Sequence, residues 1–130
     1  MNDRYLYRAK RTDNGEWVEG YYANCLFPSS DVRTGHFIIE YPGEYHEIFT
    51  STICQCTGLK DKNGKLIWEN DIVWDSEERK FYKIIFSQED MCYYAQDADG
   101  YKHTFELCYG SSIDVESNIF DNPELLEVGE

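Results

Sequence analysis

Short stretches in which aromatic and β-branched residues alternate with polar ones recur along the chain roughly every ten residues. Turn-forming residues separate these stretches, as in Asp13-Asn14-Gly15, Pro42-Gly43 and Asn63-Gly64. The pattern is typical of β-strands joined by tight turns, and a long series of such strands indicates a sandwich or a small barrel. We therefore predict a mainly β fold.

The pattern predicts two hairpins in the N-terminal part, residues 4–10 with 17–22 and residues 36–41 with 45–49, with a loop at 28–31. Further strands are predicted at 52–57, 71–74, 81–87, 91–96, 103–109 and 113–116, and residues 66–68 follow the turn at 61–65 as packed positions. One short C-terminal helical turn is predicted at 123–126, because Pro123 suits the first helical position. The pattern leaves the order of the strands within residues 74–116 open.

The chain has 12 Lys and Arg residues against 25 Asp and Glu residues, and its formal net charge is −13. Phosphates and anionic membranes bind cationic surfaces, so this charge argues against nucleic acid as a direct partner and against a membrane surface. The charge is also uneven. Residues 84–130 contain eleven acidic residues and one base, Lys102, whereas residues 1–11 contain four bases and one acid. These complementary regions can meet within one chain or between chains, as in a head-to-tail homo-oligomer.

The chain contains five cysteines, an odd number, and no apolar segment at its beginning. This combination argues against a disulfide framework and leads us to expect a cytoplasmic protein. Cys54 and Cys56 are one residue apart, so in a strand both thiols point to the same face. A zinc site needs four ligands, and no second closely spaced pair of Cys or His residues exists. We therefore predict that both are core residues and not metal ligands.

Asp97, Asp99, Gly100 and Glu106 have the spacing of part of a calcium-binding EF-hand loop. The first ligand position is Ala95, which offers no side-chain oxygen, and the flanking residues are typical of strands rather than helices. We interpret the segment as a polar hairpin turn. A weak cation site near Asp97, Asp99 and Glu106 stays open.

Catalytic constellations are not evident. Nucleophilic catalysis needs a nucleophile, a base and an orienting group, and the three histidines, His36, His46 and His103, are isolated on separate predicted strands. Carboxylates are plentiful, but nothing in the sequence singles out a pair for acid–base chemistry. We assign no catalytic, cofactor-binding or metal residue and expect a protein that is not an enzyme.

Tyrosines lie on several of the predicted strands, as in Tyr21-Tyr22 and Tyr93-Tyr94, and Tyr101 follows a turn. Adjacent residues of a strand point to opposite faces, so one ring of each pair is expected in the core and the other at the surface. Two interpretations remain open: the exposed rings bind a protein partner, or they form cross-strand pairs that stabilise the sheet.

Residues 53–73 read ICQCTGLKDKNGKLIWENDIV. This stretch resembles the hallmark motif of the YopX family, Q-x-T-G-L-x-D-x-N-G-x-x-I-[YF]-E-G-D-I-V. Arg8-Ala9-Lys10 and Trp17-Val18-Glu19-Gly20 resemble the family's opening hairpin, and residues 118–126 resemble its closing segment. The chain departs from the motif at Asn70, where the family usually has Gly. Asn is the next most tolerated residue if that position has a positive φ angle.

The resemblance implies a small protein encoded by a bacteriophage or prophage, with an SH3-like β-barrel and no established activity. It carries over no catalytic residues, and we interpret the motif as turn and core positions. We therefore expect an N-terminal β-hairpin subdomain at residues 1–50 and an SH3-like barrel domain at residues 51–130.

Three functions are compatible with the sequence. The first is a non-catalytic module that binds a host or phage protein or assembles with itself. The second is an acidic DNA mimic that inhibits a host DNA-binding protein. The third is a small enzyme of unrecognised type. The sequence does not identify the partner-binding surface or the partner.

Overall fold

The computed structural model describes residues 5–25, 35–40, 42–104 and 113–126. The strands in these ranges are β1 (Tyr7–Lys10), β2 (Trp17–Cys25), β3 (Gly35–Glu40), β4 (Glu44–Glu47), β5 (Cys54–Lys60), β6 (Leu66–Trp68), β7 (Asp71–Asp75), β8 (Lys80–Ser87), β9 (Cys92–Gln96), β10 (Lys102–Thr104) and β11 (Ile113–Asn118). Two single-turn 3-10 helices occupy Thr50–Thr52 and Pro123–Leu126. The mainly β prediction and the C-terminal helical turn are confirmed. The predicted loop at 28–31 and residues 105–109 lie outside the described residues.

The strands form two sheets, with the orders β4-β3-β2-β1-β5-β6 and β10-β9-β8-β7-β11. Neither sheet closes on itself in the described part of the chain, so the SH3-like barrel is not confirmed. The chain divides into two compact units, Met1–Cys56 and Thr57–Glu130, and β5 runs across the boundary. The predicted boundary after residue 50 stays a prediction.

In the first unit, β1 to β4 pair as successive antiparallel neighbours. One face of these strands carries the core, which consists of Ala9, Val18, Ile38 and Ile48, with Tyr7, Tyr22 and Ile53 packed against it. Along β1 and β2 the core residues alternate with polar or half-buried residues, as the pleat of a strand requires, whereas β3 buries Phe37 on one face and Ile38 on the other. The opposite face of β2, β3 and β4 carries Tyr21, Ile39 and Tyr45 together with the buried Phe37.

Gly20 lies where β3 comes closest to β2. A methyl group at this position would lie 2.3 Å from the carbonyl oxygen of Ile39 and 3.0 Å from Cγ2 of Ile38. Only glycine permits this approach without moving the β3 backbone. Gly20 belongs to the opening-hairpin motif, and its close contact with β3 explains why this position carries glycine.

In the second unit, β7, β8, β9 and β10 form an antiparallel meander, and β11 pairs with the free side of β7. A β-bulge between Val115 and Ser117 interrupts the β11–β7 ladder. The core of this unit consists of Ile67, Val73, Tyr82, Ile84, Ala95 and Ile113. The sequence left the strand order within residues 74–116 open. The structure gives this order for residues 74–104 and 113–116.

The residues of the central motif occupy turns and core positions, as predicted. Thr57 donates its hydroxyl group to the Ile67 carbonyl oxygen at 2.7 Å, and the buried Asp71 accepts the Trp68 N–H at 2.8 Å. Asn70 has a φ angle of 72°, in the left-handed region where Gly is usual and Asn is tolerated. Cys54 and Cys56 are both buried, as predicted for core residues.

Asp61 connects the turn of the motif to a strand far along the chain. Its Oδ1 accepts the backbone N–H groups of Asn63 and Lys65, and its Oδ2 accepts that of Val115 in β11, all at 2.9 Å. Burial would by itself raise the pKa of this carboxyl group, but the three N–H donors lower the pKa below the ordinary 3.8. Asp61 is 5% exposed, so backbone N–H groups rather than water molecules stabilise the negative charge of its carboxylate.

We expect Gly20→Ala to lower the free energy of unfolding by about 2 kcal/mol, because the added methyl group forces β3 away from β2. Chemical unfolding followed by circular dichroism measures the change. Glu19→Ala alters the adjacent exposed residue and is the control. Equal stability of the two variants would show that the strands adjust to the methyl group freely.

We expect Asp61→Asn to lower the free energy of unfolding at neutral pH by about 2 kcal/mol, because an amide nitrogen cannot accept the Val115 N–H. The folded-state pKa of Asp61 is below its unfolded value. The stabilisation is therefore complete above about pH 5 and is lost as the pH falls through the folded-state pKa.

Urea unfolding of both proteins from neutral to acidic pH tests this expectation. The stability difference should be constant near neutrality and should shrink below about pH 4. Asp99→Asn changes an exposed aspartate in another turn and serves as the control. A difference that is independent of pH would show that the charge of Asp61 contributes nothing.

Candidate functional site

A row of aromatic and aliphatic side chains crosses β2, β3 and β4 on the face opposite the core. Tyr21 is the register partner of Ile39, and Ile39 is the partner of Tyr45. Directly opposed residues of antiparallel strands lie on the same face, so the three side chains are neighbours. Tyr21 is 42% exposed and Tyr45 is 47% exposed. The buried Phe37 supports the row, since its ring meets that of Tyr45 edge-on at 5.9 Å.

Two cations on β1, beside Trp17 at the beginning of β2, continue this face. Lys10 is the register partner of Trp17, and Arg8 is the partner of Glu19. The Arg8 guanidinium carbon lies 4.7 Å from the centre of the Trp17 ring, and Lys10 Nζ lies 5.4 Å from it. Both distances are in the range of cation–π contacts. The two cations are held in place beside an indole ring that is half-buried.

We call this surface the interaction face; it consists of Arg8, Lys10, Trp17, Tyr21, Ile39 and Tyr45. Tryptophan, tyrosine and arginine are the residue types that dominate binding energy in protein–protein interfaces. Arg8 and Lys10 place two cations at the β1 end of this face, and the exposed Glu19 and Glu47 lie on the same side of the sheet. Its chemistry suits a partner that offers carboxylates next to apolar groups.

The opposite face of the same strands carries a cluster of ionisable groups at the end of the β3–β4 hairpin. The cluster consists of Glu40, Glu44 and His46, and it is the only group of three or more such residues in the described part of the chain whose metal-ligating atoms lie within 4.8 Å of one another. His46 Nε2 lies 3.0 Å from Glu40 Oε1 and 3.8 Å from Glu44 Oε1. The structure thus brings one histidine, which the sequence had left isolated, together with two carboxylates.

The other two histidines have partners in the structure. His36 stacks on Tyr22, and its Nδ1 is hydrogen-bonded to the Tyr22 hydroxyl group. His103 Nε2 lies 3.0 Å from Oδ2 of Asp97. The hydrogen bond to His103 is the largest cause of the lowered pKa of the Asp97 carboxyl group.

Asp97 organises the turn between β9 and β10. Its Oδ1 accepts the N–H groups of Asp99 and Tyr101, each at 3.0 Å. Both oxygens of Asp97 therefore serve the hairpin, which agrees with the prediction of a polar turn between strands. Glu106, the third member of the cation site that the sequence left open, lies outside the described residues.

One of the two tyrosine pairs has the predicted arrangement, with one ring in the core and the other at the surface. Tyr21 is exposed while Tyr22 packs against the core of its unit. In the second pair both rings are half-buried: Tyr93 packs against the core, and Tyr94 donates its hydroxyl group to Asp90 at 2.8 Å. That hydrogen bond is the main reason why the pKa of Tyr94 is raised. Tyr101 is 70% exposed.

A family model described as YopX protein matches residues 6–127 of the chain. The chain belongs to the YopX family. The resemblance of the central motif is thereby confirmed over nearly the whole length. The family assignment itself brings no established activity.

The chain is also similar to the protein in a crystal structure, protein EF1440 from Enterococcus faecalis. The two share 27% sequence identity with a TM-score of 0.54, over 93% of this chain and 96% of that chain. No curated protein matches the sequence. In the described part of the chain, no helix is long and apolar enough to cross a membrane.

Sequence reasoning missed both clusters of the first unit, although the signals were present. The second hairpin was predicted around Pro42-Gly43, and its register alone places Glu40 opposite Glu44. The interaction face needed the register between β1 and β2, which places Lys10 opposite Trp17. Both clusters are combinations across strands, which a search for motifs along the chain does not detect.

We expect His103→Ala to raise the pKa of the Asp97 carboxyl group toward its ordinary value of 3.8, because the variant removes the hydrogen bond that mainly lowers it. A carbon-13 NMR titration of the carboxyl groups measures the shift. Asp61, which belongs to a different turn, is the internal reference and should titrate as before. An unchanged titration of Asp97 would contradict the role of His103.

Proposed function

We propose that this chain is a non-catalytic protein-binding module of phage or prophage origin and that the interaction face is its contact surface. The observation that carries the proposal is the continuous row of Tyr21, Ile39 and Tyr45, with Trp17 between two cations beside it. These side chains lie on the sheet face opposite the cluster of Ala9, Val18, Ile38 and Ile48. A cytoplasmic location and an SH3-like arrangement of the second unit belong to the same proposal.

The partner proposed for this face is a protein with an acidic surface. Arg8 and Lys10 are held against Trp17, so a partner carboxylate meets cations whose positions are already restricted. Restricting side chains before binding lowers the entropy cost of association. A host protein, a phage protein and the acidic region of a second copy of the chain all meet this description.

An acidic DNA mimic is the second candidate. The observation that favours it is the number of exposed acidic side chains in the second unit: Glu77, Glu78, Glu89, Asp90, Asp99, Glu116, Asp121 and Glu124. A mimic would bind a DNA-binding protein through these carboxylates, and its binding would weaken steeply with salt. The interaction face would then be dispensable.

Affinity purification from a nuclease-treated bacterial lysate tests the proposal, with washes at low and at high salt. The tagged wild-type chain is compared with the double variant Tyr21→Ser/Tyr45→Ser and with Trp17→Ala. We expect both variants to lose the partner, with at least about a tenfold drop in affinity, since aromatic anchors at the centre of an interface carry most of its energy. Light scattering of the purified chain shows whether the partner is a second copy.

Tyr101→Ser is the matched control, because it removes an exposed tyrosine of the second unit. The control should keep the partner. Retention of the partner by both face variants would contradict the interaction face. A partner that binds DNA, is kept by the face variants and is lost at high salt would favour the mimic instead.

A further inference from the structure

The end of the β3–β4 hairpin places two carboxylates and an imidazole on one face. Glu40 and Glu44 are register partners, and His46 is the partner of Ile38. Residues two apart in a strand share a face, so all three side chains project from the same side of the hairpin. This side is opposite to the interaction face.

The donor atoms of the three side chains are already close together. One ligand atom from each residue lies within 4.8 Å of the others, and the two contacts of His46 Nε2 measure 3.0 Å and 3.8 Å. Zinc binds nitrogen and oxygen ligands at about 2.1 Å, so donor atoms around a tetrahedral ion are about 3.4 Å apart. The existing distances bracket this value. Small rotations of the two exposed glutamates would complete the geometry.

Electrostatics favours a cation between the two glutamates. Like charges directly opposite each other on adjacent strands are destabilising. Arg11 is near enough for Glu40 to contribute to its raised pKa, but the main cause of that rise is the hydrogen bond with Asp13. The Arg11 guanidinium group contacts the Asp13 carboxylate at 3.0 Å and 2.7 Å and is therefore engaged there.

The imidazole distinguishes this cluster from a group of surface acids. The His46 side chain is 12% exposed, whereas those of Glu40 and Glu44 are 48% and 72% exposed. The hairpin turn is closed by a hydrogen bond from Gly43 N–H to the Glu40 carbonyl oxygen at 2.7 Å. A packed histidine on a short, closed hairpin loses little freedom when it binds a metal ion.

We propose that Glu40, Glu44 and His46 bind a divalent transition-metal ion of the zinc class, with solvent completing the coordination. The nitrogen ligand favours zinc-like ions over calcium or magnesium, which prefer oxygen ligands alone. The site lies within the first unit and is independent of the interaction face. A bound ion would link β3 to β4 and stabilise the hairpin, by an amount that grows with the logarithm of the free ion concentration above its Kd.

Isothermal titration of the reduced, metal-free protein with zinc chloride tests the site. We expect one ion per chain for the wild type, and at least about a tenfold loss of affinity for His46→Gln and for Glu40→Gln, because even groups behind the ligands alter affinity by that factor. Glu47→Gln is the matched control, since it removes a carboxylate from the other face of β4 and should bind as the wild type does.

Thermal unfolding without metal shows whether each variant is folded. If His46→Gln or Glu40→Gln does not fold, Glu44→Gln replaces it as a ligand variant. The variant Cys92→Ser shows whether zinc binds to the exposed thiol of Cys92 instead. The proposal is wrong if the wild type binds no zinc or if His46→Gln binds as tightly as the wild type. It is also wrong if Cys92→Ser, and not the ligand variants, abolishes binding.

Discussion

The close approach of β3 to β2 at Gly20 is the constraint on which the functional surfaces of the first unit depend. Because Gly20 has no side chain, the backbone carbonyl group of Ile39 can pack directly against β2. The contact lies beside the register in which Tyr21 meets Ile39 and, on the next strand, Ile39 meets Tyr45, and a side chain at Gly20 would force these strands apart. Because side chains alternate along a strand, a shift by one residue would move the aromatic row to the core face.

The same register gives the sheet two different surfaces. One face of β3 and β4 carries Ile38 into the core and ends in the cluster of Glu40, Glu44 and His46. The other carries the interaction face, where aromatic rings and two cations can meet an acidic partner. A metal ion on the first face would stiffen the hairpin that presents Tyr45 on the second. The two proposed sites are therefore mechanically related although they share no residue.

In the second unit, the buried carboxylate of Asp61 connects segments that are distant in sequence. Asp61 accepts N–H groups both from its own turn and from Val115, 54 residues later in the chain. The turn that contains Asp61 is fastened to β11 a second time by Asn63 and Lys62, which both contact Asp114. In this chain the central motif of the YopX family is thus explained by packing and by hydrogen bonds between its side chains and backbone groups. Its conformational requirement at Asn70 is met by a positive φ angle.

The mainly β class, the turn positions, the family and the core role of Cys54 and Cys56 could all be predicted from the amino-acid sequence. Each of these follows from local patterns, namely alternation, turn residues and one long motif. Which residues meet across strands became visible only in the folded chain. Lys10 lies opposite Trp17, and Glu40 lies opposite Glu44, because of strand pairing. Register depends on packing between segments distant in sequence, so local patterns predict where strands form but not how their side chains combine.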